Sequence, residues 1–330
     1  AGALTTMFLC DNGARVVRIE MPANSAPRDE PGYRVWDRGK ESIPLDLSRA
    51  LDGGDSDELH AFHRLVRGAD VLVESLPPSS PLQALVDYDT LSLLNHRLVH
   101  CSITAYGKHG PLRDEPANDD LVMARTGILA SQPSFRPGPV HVVHRVPSVG
   151  AALHAARGIV AGLFDRERTG RGRAVEVSLM TGALDMTPRV AGDKLKPMSW
   201  RGTPSGGMPF YSIYLCADGN WLQLACIHPG FVALAAEAIG ITDVLADPRF
   251  KGGNRLVSDE AQKELFDIVA GIIRTRPCSE WEEVFEEADV PYARVQTVEE
   301  AMADPKILAN DMVIELDHPD MGPVAQMGLP

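Results

Sequence analysis

Cysteine is scarce and scattered: Cys10, Cys101, Cys216, Cys226 and Cys278 make five, an odd number, and no two stand in C-x-x-C spacing. That excludes a disulfide framework and a thiolate metal site, and it fits a reducing cytoplasm. No run approaches the ~18 uninterrupted apolar residues that a membrane helix needs, and the first residues lack the basic stretch and apolar core of a secretory signal. Positive charge is also short. The 32 Lys and Arg against 45 Asp and Glu leave a net charge of −13, which repels nucleic acid and anionic membrane over most of the surface. Neither G-x-G-x-x-G nor G-x-x-x-x-G-K-[ST] occurs, so the common glycine-rich nucleotide cradles are missing.

What remains is the balance of a globular protein, 44% hydrophobic and 23% charged over 330 residues, enough for two lobes. Helical stretches alternate with short apolar runs. Residues 3–9 lead to the strand-like ARVVRIE, residues 57–67 to DVLVES, and residues 91–94 to LVHCSIT. Such alternation predicts an α/β fold with a Rossmann-like parallel sheet, and ligands at the carboxyl ends of its strands. Those ends are Glu20, Ser75-Leu76 and Thr104-Ala105-Tyr106. A small-residue helix over 149–166 and the strand-like AVEVSLM follow. Residues 191–209 are rich in Pro, Gly and basic side chains and read as a linker. A smaller α+β domain is expected over 210–310, with a hairpin around Asp218-Gly219 and helices over 231–239, 259–274 and 278–288. The large domain thus spans 1–190, and 311–330 reads as a segment returning toward it.

Few local motifs carry chemistry alone. His60/His63 and His141/His144 have metal-ligand spacing, but the first pair reads as an exposed helix face and the second lacks a carboxylate or thiolate nearby in the sequence, so no metal site is expected. Gly206-Gly207 reads as a linker turn, with a flap over a ligand as the functional alternative. Asn118 or Asp119 in PANDDLVMARTG reads as the N-cap of a helix.

Seven segments carry a resemblance. In order and spacing, AGALTTMFLCDNGARVVRIE, WDRGKESIPLDL, ADVLVESLPP, LNHRLVHCSITAYGKHGPLRDEPANDDL, GIVAGLFDRERTGRGRAVEVSLM, ADGNWLQLACIHPGF and DMVIELDHPDMGPV resemble the family III CoA-transferases, along nearly the whole chain. That superfamily includes formyl-CoA transferase, carnitine CoA-transferase and the α-methylacyl-CoA racemases. The resemblance implies coenzyme A or an acyl-CoA as substrate rather than as a resident cofactor. It implies a small carboxylic acid as second substrate, and an interlocked homodimer or a heterodimer with a homologous active chain. By position, Leu45 and Leu47 fall near the adenosine, and Ser75, Leu76 and Tyr106 along the pantetheine path, with Asn118, Gly206 and Gly207 also at the cofactor site. The chain is expected to begin past the family's leading strand and to stop short of its tail.

The resemblance also exposes a departure. Family transferases use an aspartate ten residues before the glycine of G-I-hydrophobic-A. Counting back from Gly158 gives Ser148. The family's carboxylate attacks the thioester to give a mixed anhydride, then carries CoA as an aspartyl thioester. A serine hydroxyl can accept an acyl group but offers no carbonyl to hold CoA. Asp119 is therefore the carboxylate expected to substitute. Racemase chemistry needs two acid/base groups, and the candidates are Asp119 and His228, with Asn118 standing where the racemases have histidine. Cationic positions for CoA phosphates are replaced by Met21-Pro22 and Gln83. Three outcomes stay open: a CoA-transferase, a non-catalytic subunit and an acyl-CoA racemase.

Overall fold

The computed structural model describes residues 1–21, 31–51, 56–132, 134, 137–187, 206–254, 256, 258–318 and 321–328. The chain divides into two compact units, the first Ala1–Ser131 with Pro139–Gly192, the second Gln132–Gly138 with Asp193–Pro330.

The first unit runs α1 (Gly2–Asp11), β1 (Val17–Glu20), α2 (Pro31–Trp36), β2 (Glu41–Pro44), α3 (Asp57–Gly68), β3 (Val71–Glu74), α4 (Gln83–Val86), α5 (Tyr88–Leu94), β4 (Val99–Thr104), α6 (Asp119–Arg125), α7 (Ile128–Ser131), α8 (Val146–Thr169), β5 (Ala174–Ser178) and α9 (Leu179–Asp185). Strands β1 and β2 pair in parallel, and β3, β4 and β5 form a three-stranded parallel sheet in that order. Each of these parallel pairings needs a crossover, and helices supply it. Every residue of β4 is buried, as an apolar central strand covered on both faces should be. On one face Phe62 and Val66 of α3 pack with Val86, Leu91 and Leu98. On the other, Cys101 and Ile103 meet Ala151, Ala155 and Ile159 of α8.

At 24 residues α8 has the length and apolar character of a membrane-crossing segment. Its small residues lie against the sheet instead, and Arg166 is buried at its far end with the Asp70 carboxylate at 2.9 Å, so it is the core helix of this unit. Helix α9 crosses it where Gly150 and Gly182 meet. A Cβ on Gly150 would stand 2.4 Å from the Gly182 carbonyl oxygen, and one on Gly182 2.3 Å from the Ala151 nitrogen, so the two backbones touch.

The second unit holds β6 (Gly206–Met208), β7 (Tyr211–Leu215), β8 (Trp221–Leu224), α10 (Pro229–Ala238), α11 (Thr242–Leu245), α12 (Asp259–Ile273), α13 (Cys278–Glu287), β9 (Tyr292–Arg294), α14 (Val298–Ala303), α15 (Pro305–Leu308), β10 (Val313–His318) and β11 (Gly322–Met327). Strands β6 to β9 form an antiparallel sheet in sequence order, and β10 pairs with β11 as a separate hairpin. Trp281, Phe285, Leu265 and Tyr214 centre its core. The Trp281 indole N–H donates to the Ile273 carbonyl at 2.7 Å, so burying the ring strands no donor. Buried Asn254 accepts from Phe210 N–H at 2.8 Å and donates to the Cys226 carbonyl, tying the start of β7 to the end of β8.

The linker expected over 191–209 is corrected in part. Residues 191–205 lie outside the described residues, and 206–208 are strand β6, hydrogen-bonded to β7. Gly206 holds φ at +136°, and a Cβ there would sit 2.3 Å from the Ser212 hydroxyl oxygen. Its glycine therefore serves a close strand contact, where the sequence suggested a flap or turn.

Candidate active site

The first turns of two helices build the site, through Asp119 and Ser148, 29 residues apart in sequence. Helix α6 begins conventionally: Asn118 is its N-cap, in extended backbone, and its side-chain oxygen accepts from Leu121 N–H at 2.9 Å. Asp119 is thereby left as the first helical residue, its carboxylate free of that duty. Helix α8 begins without a cap of its own. Arg145 holds the N-cap position but makes no side-chain bond there, and Pro147 in the first turn has no N–H to satisfy.

Asp119 supplies what α8 lacks. Its Oδ1 accepts the Ser148 backbone N–H at 2.7 Å, and its Oδ2 accepts the Ser148 hydroxyl at 2.7 Å. Ser148 is 8% exposed and Asp119 is half-buried. An anion at the positive end of a long helix gains from the helix dipole, and both bonds are charge-assisted. The Ser148 amide fixes one oxygen of the carboxylate, which aims the other at the Ser148 Oγ. The arrangement offers a carboxylate next to a hydroxyl, within one hydrogen bond.

The strand ends carry a second cluster. Glu74 closes β3 and is buried; its Oε2 accepts from Leu76 N–H at 2.7 Å and from the Gln83 side-chain amide at 3.4 Å. Gln83 also donates to the Leu76 carbonyl at 3.3 Å. Gln83 is thus turned onto the chain around Ser75 and Leu76. Ser75 itself is exposed. Tyr106 follows β4, its ring packed beside Val122 and Met123 and under the Arg125 guanidinium at 5.4 Å, with its hydroxyl buried and unpartnered. Leu45 and Leu47 lie beyond β2 as buried core residues beside Phe62 and Leu82, so their side chains face the interior.

His228, in the second unit, is the N-cap of α10: its Nδ1 accepts from Gly230 N–H at 3.1 Å, and the ring stands edge-on to Phe231 at 6.3 Å. With Nδ1 accepting, a neutral ring carries its proton on Nε2. Gly206 and Gly207 belong to the same unit, in β6. Among the described residues no three His, Cys, Asp or Glu side chains cluster as metal ligands. His141 does have a carboxylate beside it, against the sequence expectation: Asp120 Oδ1 lies 3.2 Å from its Nε2. The partner comes from α6, on the far side of a loop.

In the sequence Asp119 and Ser148 stand as separate candidates, and their contact emerges only in the fold. The signal was present: a proline-led helix without Ser, Thr, Asp or Asn before it must find its cap elsewhere. Glu74 was passed over for its neighbours, although an acid at the end of an apolar strand needs a reason.

Residues 1–330 match the model of the family described as CoA-transferase family III. A succinyl-CoA–D-citramalate CoA-transferase of Chloroflexus aurantiacus is 26% identical, over 98% of this chain and 82% of its own. The α-methylacyl-CoA racemase of Homo sapiens is 27% identical over 91% of this chain and 75% of its own. Among solved structures, a hypothetical protein from Mycobacterium tuberculosis is 24% identical, covers 100% of this chain and 88% of that one, and superposes with a TM-score of 0.81, a likeness of fold.

Proposed function

The chain belongs to CoA-transferase family III, and on that premise we propose that it moves CoA from an acyl-CoA to a small carboxylic acid, with the Asp119 carboxylate as the group that takes the acyl. The supporting observation is the pair of 2.7 Å bonds that hold this carboxylate against Ser148, the residue that the family resemblance sets at the catalytic aspartate's place. An Asp119 oxygen attacks the thioester carbonyl and the C–S bond breaks, giving a mixed anhydride and CoA thiolate. The thiolate then attacks the aspartyl carbonyl and releases the donor acid. The acceptor carboxylate attacks the aspartyl thioester and expels CoA thiolate, giving a second mixed anhydride; the thiolate then attacks the acceptor's acyl carbonyl, forming the new acyl-CoA and releasing the Asp119 carboxylate.

CoA is substrate here, with no permanently bound cofactor. Ser75, Leu76 and Tyr106 follow the carboxyl ends of β3 and β4, where a parallel sheet receives ligands, and Asn118 precedes the catalytic residue. At Leu45 and Leu47 the contact falls to the backbone. The working form is a dimer, either of two such chains or with a homologous active chain. An exposed apolar stripe on α8, from Val149 and Leu153 to Val160 and Phe164, supports an interface there. The cytoplasm is the compartment.

A second reading is favoured by the same geometry. Both Asp119 oxygens already satisfy α8, which is a complete structural role, so a non-catalytic subunit would need nothing more. Intact-mass analysis with a panel of acyl-CoAs, trapped by hydroxylamine or borohydride, separates the two. An adduct on Asp119, lost in Asp119→Ala, is the expected result. No adduct with any donor, in protein that still binds CoA, makes the chain a non-catalytic subunit.

A further inference from the structure

We infer that Ser148 gives this site a second activity, hydrolysis of acyl-CoA thioesters through an acyl ester on its own hydroxyl. The inference rests on the reading that acyl-CoA binds here, but not on CoA transfer. Its basis is the direction of the hydrogen bonds. The Ser148 hydroxyl donates to Asp119 Oδ2 at 2.7 Å, the relation of a nucleophile to its general base. The base is oriented in turn, because Oδ1 is held by the Ser148 amide at 2.7 Å. The carboxylate cannot swing away from the hydroxyl without giving up an N–H of the first turn of α8.

The chemistry follows from what serine lacks. As Ser148 Oγ attacks the thioester carbonyl, its proton passes to Asp119 Oδ2. The Oγ–C bond forms, the C–S bond breaks, and CoA leaves as the thiol with that proton. The resulting ester has no carbonyl belonging to the enzyme, so CoA cannot be stored and returned. The acyl group can leave only to an incoming nucleophile. Water is that nucleophile: it gives a proton to Asp119 as its oxygen bonds the acyl carbon, the C–Oγ bond breaks, and Oγ recovers the proton. The sum is acyl-CoA plus water giving carboxylic acid plus CoA, with no change of oxidation state. The family's carboxylate transfers CoA, whereas a hydroxyl in its place transfers acyl groups.

The test uses the full chain with acetyl-CoA and succinyl-CoA, no acceptor acid, and two readouts: thiol release by a thiol-reactive dye, and peptide mapping after acid quench. Expected are steady thiol release, an ester on Ser148, and a fall of at least ~100-fold in both Ser148→Ala and Asp119→Asn, the usual worth of a nucleophile or its base. Because Ser148→Ala also removes a hydrogen bond at a helix start, Ser148→Cys provides a second arm, expected to accumulate an acyl thioester that neutral hydroxylamine cleaves. Thiol release unchanged in Ser148→Ala, with an adduct only on Asp119, overturns the hydrolase and leaves CoA transfer standing. Binding of both acyl-CoAs by calorimetry with no thiol release from any of these proteins also overturns it. Absence of binding overturns this inference together with the transferase reading beneath it.

Discussion

Asp119 answers to two elements at once, which sets how costly its replacement is. In Asp119→Asn one acceptor oxygen becomes an NH2 group facing the donors of Ser148. The Asn oxygen keeps the Ser148 amide while its NH2 donates to the hydroxyl, which rotates to accept, so both bonds survive without the charge that strengthened them. A loss of about 1 kcal/mol is expected, read as a lower urea midpoint. His100 makes a different prediction. It is buried, and its Nε2 lies 2.7 Å from the Val86 carbonyl, which can only accept, so the ring nitrogen carries hydrogen there. Burial holds its pKa below the ordinary histidine value of 6.5. The unfolded ring therefore takes up a proton near 6.5 while the folded ring still resists. Stability is full above that pH and falls as pH drops through the window toward the folded value. Urea unfolding at pH 7.5 and pH 5 should show this loss, and His100→Gln should flatten it. At this scale the Asn118 cap was legible, because capping is local chemistry written within four residues. The Asp119–Ser148 contact was not, because no local rule states which neighbouring helix will lend an acid. The buried thiols fit their scatter: burial pushes Cys101 and Cys216 up to about 12, so they behave as small apolar groups.

At the scale of elements, the crossing of α8 and α9 depends on two residues without side chains. In Gly182→Ala the new methyl would press into Ala151 N and the Pro147 carbonyl, backbone atoms that have no rotamer to change. Overpacking of this kind costs about 1–3 kcal/mol or more, and thermal unfolding of the variant should show it. The amphipathic helices α12 and α13 were legible to within a residue at each end, since Leu265, Val269 and Ile273, or Trp281 and Phe285, recur at helical spacing and face one core. The hairpin at Asp218-Gly219 was equally plain: Asp218 Oδ1 accepts from Asn220 N–H at 3.2 Å and Gly219 takes φ +83°. Helix α8 and strand β6 show two ways in which the reading and the structure differ. Helix α8 starts at Val146, three residues earlier than its apolar spacing suggested, because the cap that permits this comes from α6. Strand β6 was hidden by glycine, which signals a turn in composition and here allows a close pairing with β7.

For the whole molecule, the feature that composition could not disclose is the outward face of α8. Phe164 is 72% and Val160 58% exposed, on a helix whose opposite face is core. That exposed stripe is the surface the proposed dimer would cover. Light scattering should give twice the mass of one chain, and Phe164→Asp should shift it toward a single chain. The excess of acidic residues keeps the rest of the surface from joining in. The mixed α/β fold with its parallel sheet was legible from alternation, whereas the Asp119–Ser148 pair was not, since it joins distant segments. The glycine crossing has one more consequence, measured in time. The first amides of a helix ordinarily exchange with solvent deuterium soonest, because the ends fray. Here the Ser148 amide is bound by Asp119, and the turn that follows it lies backbone to backbone against Gly182, with no side chain between them whose rotation could let water in. That amide meets deuterium only when the helices part, so its exchange clocks the opening of the first unit rather than the fraying of an end.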